Sequence, residues 1–258
     1  MLRVLTLSTL FPDATRPNFG IFVERQTAGL AVSADVEVKV VAPVGLPPGP
    51  LALIQHGDKL TLPARETWRG LDVFRPRFTS IPGVGGRWHV HHLLRALEPL
   101  LDSIRRDFAF DVIDASFFFP DGPAAVALGT RYGVPVSIKA RGADIHHWGT
   151  TGPTAAQVVA AGQAADGVLA VSAAMRADMA SIGIPHERIR VHHTGVDLDR
   201  FRPVDRRAAK VAMGVDGPLV LSLGNLIPRK AHHLVLRAVA ALPGTTLAIA
   251  GEGAERAR

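Results

Sequence analysis

The chain has 258 residues, of which 47% are hydrophobic and 20% charged, and it carries a net charge of +6 and no cysteine. That is enough apolar material for one or two globular domains, while the absence of cysteine excludes a disulfide framework, a thiolate metal site and a thiol nucleophile. The positive excess is mostly scattered arginine with no aromatic platform between, which argues against nucleic acid as a partner, and no apolar run approaches the ~18 residues of a membrane span.

The opening MLRVLTLSTLF lacks the long apolar core of a signal peptide and reads as a first strand, residues 3–8, so the cytoplasm is the expected compartment. Further strand-like runs occupy residues 36–42, 71–75, 112–115, 136–140 and 168–171, separated by helix-period or loop segments. This alternation predicts an α/β chain of βαβ units in a doubly wound parallel sheet, with ligands at the carboxyl ends of strands. The informative residues are therefore sought just after each strand.

After the first strand, TLFPDATRPNFGIFVERQTAGLA gives a loop punctuated by Pro and Gly, then a helix opened by Gly20, with Ile21, Phe22 and Leu30 expected to face inward. A glycine there frees backbone N–H groups for an anion, or is plain turn chemistry. The GxGxxG fingerprint of dinucleotide enzymes is absent. Residues 43–58, rich in Pro and Gly, read as a long surface loop. The stretch RWHVHHLLRALEPLLDSIRR predicts a helix with Leu93, Leu94, Leu97, Leu100, Leu101 and Ile104 on one face. Such a stripe is expected to pack on a sheet rather than lie on an anionic membrane, with Pro99 as a candidate kink.

Downstream, FFFPDGPAA places Asp121 or Gly122 at a helix cap, ahead of a buried strand and the loop of residues 141–144. Arg141 there has the chemistry to hold a carboxylate, phosphate or sugar hydroxyl, and Asp144 to bind sugar hydroxyls; alternatively the two close a turn. Four pairs of adjacent histidines occur, but neighbours in sequence do not share a helix face and no HExxH spacing is present, so no metal site is expected. Ser172 is expected to cap the next helix, which ends near Gly183 and Pro185. Residues 191–203 read as a connection between a first domain of residues 1–190 and a second region of residues 204–258.

In that second region the apolar run 219–223 ends at Gly224, and residues 230–242 have helical spacing with apolar Leu234, Val235, Ala238 and Leu242. The loop between them offers free N–H groups, the positive end of a helix dipole, and adjacent cations at Arg229 and Lys230. It is either a diphosphate cradle or a basic, solvated helix start.

Five stretches, in order, resemble glycosyltransferase family four: FPDATRPNFGIFVERQ, FPDGPAAVALGTRYGVPVSIKARGADI, VSAAMRADMASIGIPHERIRVHHTGVDLDRFRP, LSLGNLIPRKAHHLVLRAV and TTLAIAGEGAERAR. The resemblance implies a GT-B-like fold, with an N-terminal Rossmann-like doubly wound parallel sheet and the first β-α-β part of a second Rossmann-like domain. It implies transfer of a sugar, with retention, from a nucleotide diphosphate sugar to a glycan, polysaccharide or lipid-linked acceptor, with no cofactor and no required metal. Peripheral contact with the inner face of the cell membrane is compatible with that role. By the same likeness Gly224, Asn225, Arg229 and Lys230 hold the donor diphosphate, Gly20 closes over it, and Arg141 and Asp144 contact sugar or acceptor.

The chain departs from the family at three loop positions, with Asn225 where Arg is common, Ala231 where Gly is common, and Arg141 in a loop that often carries His. The family's two glutamates separated by seven residues have no counterpart in these 258 residues, so no catalytic residue is assigned. A truncated, inactive chain is expected, with residues 204–258 more protease-sensitive than the rest. The alternative is a noncatalytic binding or scaffold protein with the same fold.

Overall fold

A strand with apolar residues on both faces needs cover on both, and β1 (Leu2–Leu7) finds it in the middle of the first of two units, Met1–Gly195 and Val196–Arg258. The structure, a computed structural model, describes residues 1–81 and 86–257. After β1 come α1 (Ile21–Ala31), β2 (Val36–Val41), β3 (Val44–Leu46), α2 (Pro50–Leu60), β4 (Arg65–Trp68), β5 (Leu71–Phe74) and β6 (Arg77–Thr79). The first unit continues with α3 (Gly86–Asp107), β7 (Val112–Ala115), α4 (Asp121–Tyr132), β8 (Val136–Ala140), α5 (Gly152–Ala164), β9 (Gly167–Ala170), α6 (Ala173–Ser181) and β10 (Ile189–Val191).

Among the described residues eight of these strands form one sheet in the order β10-β9-β8-β7-β1-β2-β5-β4. It is parallel from β10 to β5, as the βαβ alternation predicts, and ends in an antiparallel edge strand, β4. β3 and β6 pair apart from it. The strand order reverses at β1, which has β2 on one side and β7 on the other. The crevice at the carboxyl ends of β1 and β7 is therefore the topological switch point, where ligands of such sheets sit.

The α3 stripe packs as its period predicts: Leu93, Leu97, Leu101 and Ile104 join Leu5, Leu7, Ile113 and Ile138 from the strands, and Ala124, Leu128 and Val158 from α4 and α5, in one buried cluster. A second cluster joins Val23 of α1 to Phe11, Val40 and Val73. Ser172 caps α6 by accepting from the Met175 N–H at 3.1 Å.

Three local expectations are corrected. Residues 43–58 are not a loop: they hold β3 and most of α2, because Gly49 at φ 62° turns the chain and Pro50 enters the first helical turn, where its missing N–H costs nothing. On α1 the inward positions are Val23, Glu24 and Thr27, while Phe22 and Leu30 are each 36% exposed. The helix is rotated that way because the Glu24 carboxylate, buried, accepts from Trp68 Nε1 at 3.1 Å and Arg69 Nη1 at 3.2 Å. Finally, Pro120 rather than Asp121 or Gly122 occupies the cap position of α4, and Asp121 lies in its first turn with its side chain engaged elsewhere.

The second unit comprises α7 (Arg206–Ala212), β11 (Leu219–Leu223), a 3-10 turn at Pro228–Lys230, α8 (His232–Ala240), β12 (Thr246–Ala250) and a second 3-10 turn at Ala254–Ala257. Asp205 caps α7 by accepting from the Ala208 N–H. β11 and β12 pair in parallel from Leu219↔Thr246 to Leu223↔Ala250, which is the β-α-β start expected of a second Rossmann-like domain. Leu234 and Leu242 are 53% and 52% exposed, and among the described residues of this unit only His232 is buried. No helix among the described residues is long and apolar enough to cross a membrane.

Candidate functional sites at the strand ends

In the first unit the loop after β1 is held rigidly by buried charge. Asp13 accepts from the Thr15 hydroxyl at 2.6 Å and the Arg16 N–H at 2.9 Å, and Arg75, buried, donates to the Pro12 carbonyl at 2.8 Å. That loop delivers Gly20 to the start of α1 with φ 68°, where a Cβ would stand 2.4 Å from the Leu10 carbonyl oxygen. Only glycine fits both the left-handed backbone and the close approach, and its carbonyl accepts from the Val23 N–H of the first turn of α1 at 2.8 Å.

At the carboxyl end of β8 the chain turns sharply through a five-residue π-helix, Asp144–Trp148. Asp144 is fully buried and spends its carboxylate on backbone N–H groups: Phe118 at 3.0 Å, Arg141 at 3.0 Å and Gly142 at 2.6 Å. Burial pushes its pKa up from the usual carboxylate value, opposed by those N–H donors. Asp144 thus ties the loops after β7 and β8 together and has the geometry of a turn-closing residue.

Arg141 extends away from that carboxylate. Its guanidinium lies 5.2 Å from the centre of the Phe22 ring, donates Nε–H to the Ser116 carbonyl at 3.2 Å and Nη2–H to Gln26 Oε1 at 3.0 Å, and leaves Nη1 buried without a partner. The exposed face of Phe22 is the platform for this cation.

Two residues complete this region, Lys139, which sequence reasoning passed over, and Asp121, which it read only as a helix cap. Lys139, in the strand VSIKA, is fully buried, with Nζ 2.9 Å from Gln26 Oε1 and 2.7 Å from His192 Nδ1. Burial, followed by the charge of Arg141, lowers its pKa to about 8. The signal was a lysine near the end of a mainly apolar strand run. Asp121, also fully buried, accepts from the Thr9 N–H at 2.8 Å through Oδ2, and its Oδ1 has no partner. Burial pushes Asp121 up to about 7, opposed by Thr9 and reinforced by the charge of Asp144. These residues surround the switch point.

In the second unit the loop of residues 224–230 is pinned through its first residues. The Gly224 N–H donates to the Ala250 carbonyl at 3.0 Å, the Leu226 N–H to the Glu252 carbonyl at 2.8 Å, and the Glu255 N–H to the Leu226 carbonyl at 3.0 Å. Gly251, at φ 159°, lets the turn after β12 come so close that a Cβ there would overlap the Gly224 carbonyl. His232 locks the loop from beneath: Nδ1 is 2.9 Å from Ser222 Oγ and Nε2 is 3.2 Å from the Asn225 carbonyl. Because a carbonyl can only accept, Nε2 carries the proton and Nδ1 accepts from the serine.

On this frame Arg229 and Lys230 are exposed, and among the described residues neither forms an ion pair with a carboxylate. The Lys230 stem runs alongside Gly224, whose Cβ position is 3.7 Å from Lys230 Cδ and Cε. Asn225 is exposed beside them. Ala231 adopts the left-handed conformation, φ 54° and ψ 33°, which is where a glycine would relieve strain. A cavity of about 590 Å³ in this unit is lined by Leu226, His232, Leu236 and Ile249 among others, and lies beside the loop without including the two cations. No cluster of three metal-ligating side chains exists among the described residues.

Comparison with known proteins adds three findings. The D-inositol 3-phosphate glycosyltransferases of Mycobacterium bovis (strain BCG / Pasteur 1173P2) and Mycobacterium tuberculosis (strain ATCC 25618 / H37Rv) are 52% identical over 71 residues, which is 27% of this chain and 15% of theirs. A sucrose-phosphate synthase from Thermosynechococcus elongatus superposes with TM-score 0.71 at 17% identity, over 100% of this chain and 64% of that one. The Anabaena HepE protein in complex with UDP gives TM-score 0.62 at 15% identity, over 98% and 62%. The chain therefore spans less than two thirds of the length of these solved relatives and matches a smaller part of the curated ones. The fold is GT-B-like, with Rossmann-like units. The family model described as Glycosyltransferase Family 4 matches residues 22–200, well over half of the sequence, and the chain belongs to that family.

Proposed function

We propose that the chain acts in transferring a sugar from a nucleotide diphosphate sugar to a hydroxyl of an acceptor, with retention at the anomeric carbon and without a metal ion. The observation that carries this reading is the loop of residues 224–230: a backbone fixed by Gly224, Gly251 and His232 presents two exposed cations that no carboxylate neutralises among the described residues. The UDP and UDP-glucose complexes of HepE, a protein of the same fold, support a nucleotide sugar as the ligand.

Transfer breaks the bond between the anomeric carbon and the diphosphate oxygen, forms one from that carbon to the acceptor oxygen, whose proton is released to the departing diphosphate or to water, and leaves the negative charge on the departing nucleotide. Arg229 and Lys230 would meet that charge, and cations fixed before the reaction lower its barrier without reorganising. At an effective dielectric near 20, one cation about 4 Å from a phosphate charge contributes up to ~4 kcal/mol before desolvation is subtracted. Asn225 offers the same oxygens hydrogen bonds without charge. Acceptors of the glycan or lipid-linked kind, and peripheral contact with a membrane, belong to the same proposal.

Calorimetric titration of the chain with UDP and UDP-glucose tests it. Lys230→Ala is expected to weaken binding at least tenfold and Arg229→Ala by a similar factor. Equal affinity in wild type and both variants would overturn the assignment.

A further inference from the structure

Two cations meet at the carboxyl end of β8, Lys139 and Arg141; the charge of Asp114 acts on both of them and that of Asp144 on Arg141. Lys139 Nζ and Arg141 Nη2 both donate to one neutral oxygen, Gln26 Oε1, at 2.9 Å and 3.0 Å. Among the described residues no carboxylate forms an ion pair with either side chain. The nearby acids are committed elsewhere: Asp144 to backbone N–H groups, and Asp114 to the hydroxyls of Ser116 and Ser137. Buried cations are ordinarily paired, because an amide oxygen returns much less than an anion does.

We propose that Lys139, Arg141 and Gln26 form a seat for an anionic group, a phosphate monoester carried by the acceptor sugar. Arg141 Nη1 is a buried donor with no partner, so the seat has a directed hydrogen bond to give. Phe22 on one side and Ser116 on the other fix the guanidinium plane, which suits a two-oxygen anion. His192 is exposed and touches Lys139 through Nδ1; it is the neutral group an arriving anion displaces. Its pKa is lowered by partial burial and then by the charges of Lys139 and Arg141, which keeps it neutral beside the lysine. The seat is at strand ends next to the switch point, where this sheet type binds ligands. It lies in the first unit, whereas the donor diphosphate is matched to cations in the second. The term acceptor rests on the sugar-transfer reading; the anion seat itself does not.

The test is calorimetric titration of the chain at constant ionic strength with inorganic phosphate, glucose 6-phosphate, glucose and UDP. Phosphate and glucose 6-phosphate are expected to bind and glucose not to. Arg141→Gln and Lys139→Met should each weaken the phosphates at least tenfold, Arg141→Lys should lose less, and Arg237→Gln, which removes an exposed charge elsewhere, should change them less than twofold. If Lys139→Met fails to fold by circular dichroism, the partly exposed Arg141 pair decides. Equal phosphate affinity in Arg141→Gln and wild type overturns the seat, as does loss of phosphate binding in Lys230→Gln but not in Arg141→Gln. Displacement of bound phosphate from the Arg141-dependent site by UDP assigns the seat to the donor and overturns the acceptor assignment. UDP binding that depends on Lys230 alongside absent phosphate binding defeats this inference and leaves sugar transfer standing; the reverse result does the opposite.

Discussion

Leu5 and Leu7 of β1 are 0% and 1% exposed, whereas Leu221 and Leu223 of β11, in a strand of the same apolar character, are 52% and 67% exposed. β1 has hydrogen-bonded neighbours on both edges and helices packed on its faces; β11 has β12 on one edge and α8 beside it. A strand's apolar pattern states which layers it can use, and burial follows only where a second layer exists. The cooperative core of the first unit and the thin second unit should therefore respond differently to the same perturbation.

The sharpest way to break this contrast is a matched pair of truncations. Leu97→Ala, at a residue 0% exposed, is expected to cost about 3 kcal/mol in urea unfolding, and Leu234→Ala, at 53% exposure, less than about 0.5 kcal/mol. Equal costs would mean that the second unit is packed as tightly as the first.

A smaller effect comes from the buried carboxyl of Asp121, whose folded pKa of about 7 lies above the ordinary aspartate value of 3.8. Folded protein then holds a proton that the unfolded chain has released. Stability from this group is fully present below the unfolded value and falls as pH rises towards 7, levelling off above it. Asp121→Asn keeps an acceptor for the Thr9 N–H and cannot ionise. It should flatten that slope and stabilise the first unit by on the order of 2 kcal/mol at pH 9, read from denaturation midpoints across pH. A slope unchanged by the substitution would reject the shifted carboxyl.

The smallest effect sharpens the comparison from the other side. Ala231 holds φ 54°, so Ala231→Gly should relieve about 1 kcal/mol of left-handed strain, partly offset by greater unfolded-state entropy. The gain should appear in hydrogen-exchange protection of α8 and leave α3 untouched. Exchange that is unchanged in α8 would mean the neighbouring turn relaxes the strain another way.

Much of this was legible from residues alone. The strands 112–115, 136–140 and 219–223 have the same bounds in the structure, because short, mainly apolar runs between turn signals leave little choice of extent. The α3 stripe was equally plain. β3, β4 and β6 were not, since β3 is three residues with a glycine at its centre and β4 and β6 are three or four residues of mixed polarity, too short to carry a period. α2 was missed because Pro and Gly were read as loop residues, although Gly49 followed by Pro50 is also how a helix begins.

Of the candidate sites, Arg141, Arg229 and Lys230 stood out through position after a strand. Gln26, Lys139 and His192 come together from α1, β8 and the segment after β10, more than a hundred residues apart at the extremes. Such contacts have no local signature. His232 was noticed as half of a histidine pair, and its actual task, bridging Ser222 to the Asn225 carbonyl, depends on β11 folding over α8.

The turn after β12 and the loop after β11 are stitched by three backbone hydrogen bonds and by the Gly251 contact. Neither strand end can be re-aimed alone. Any insertion or swing that shifts Arg229 and Lys230 must carry the GEG turn with it as one stiff lever, so the reach of those cations is inherited from a segment more than twenty residues downstream.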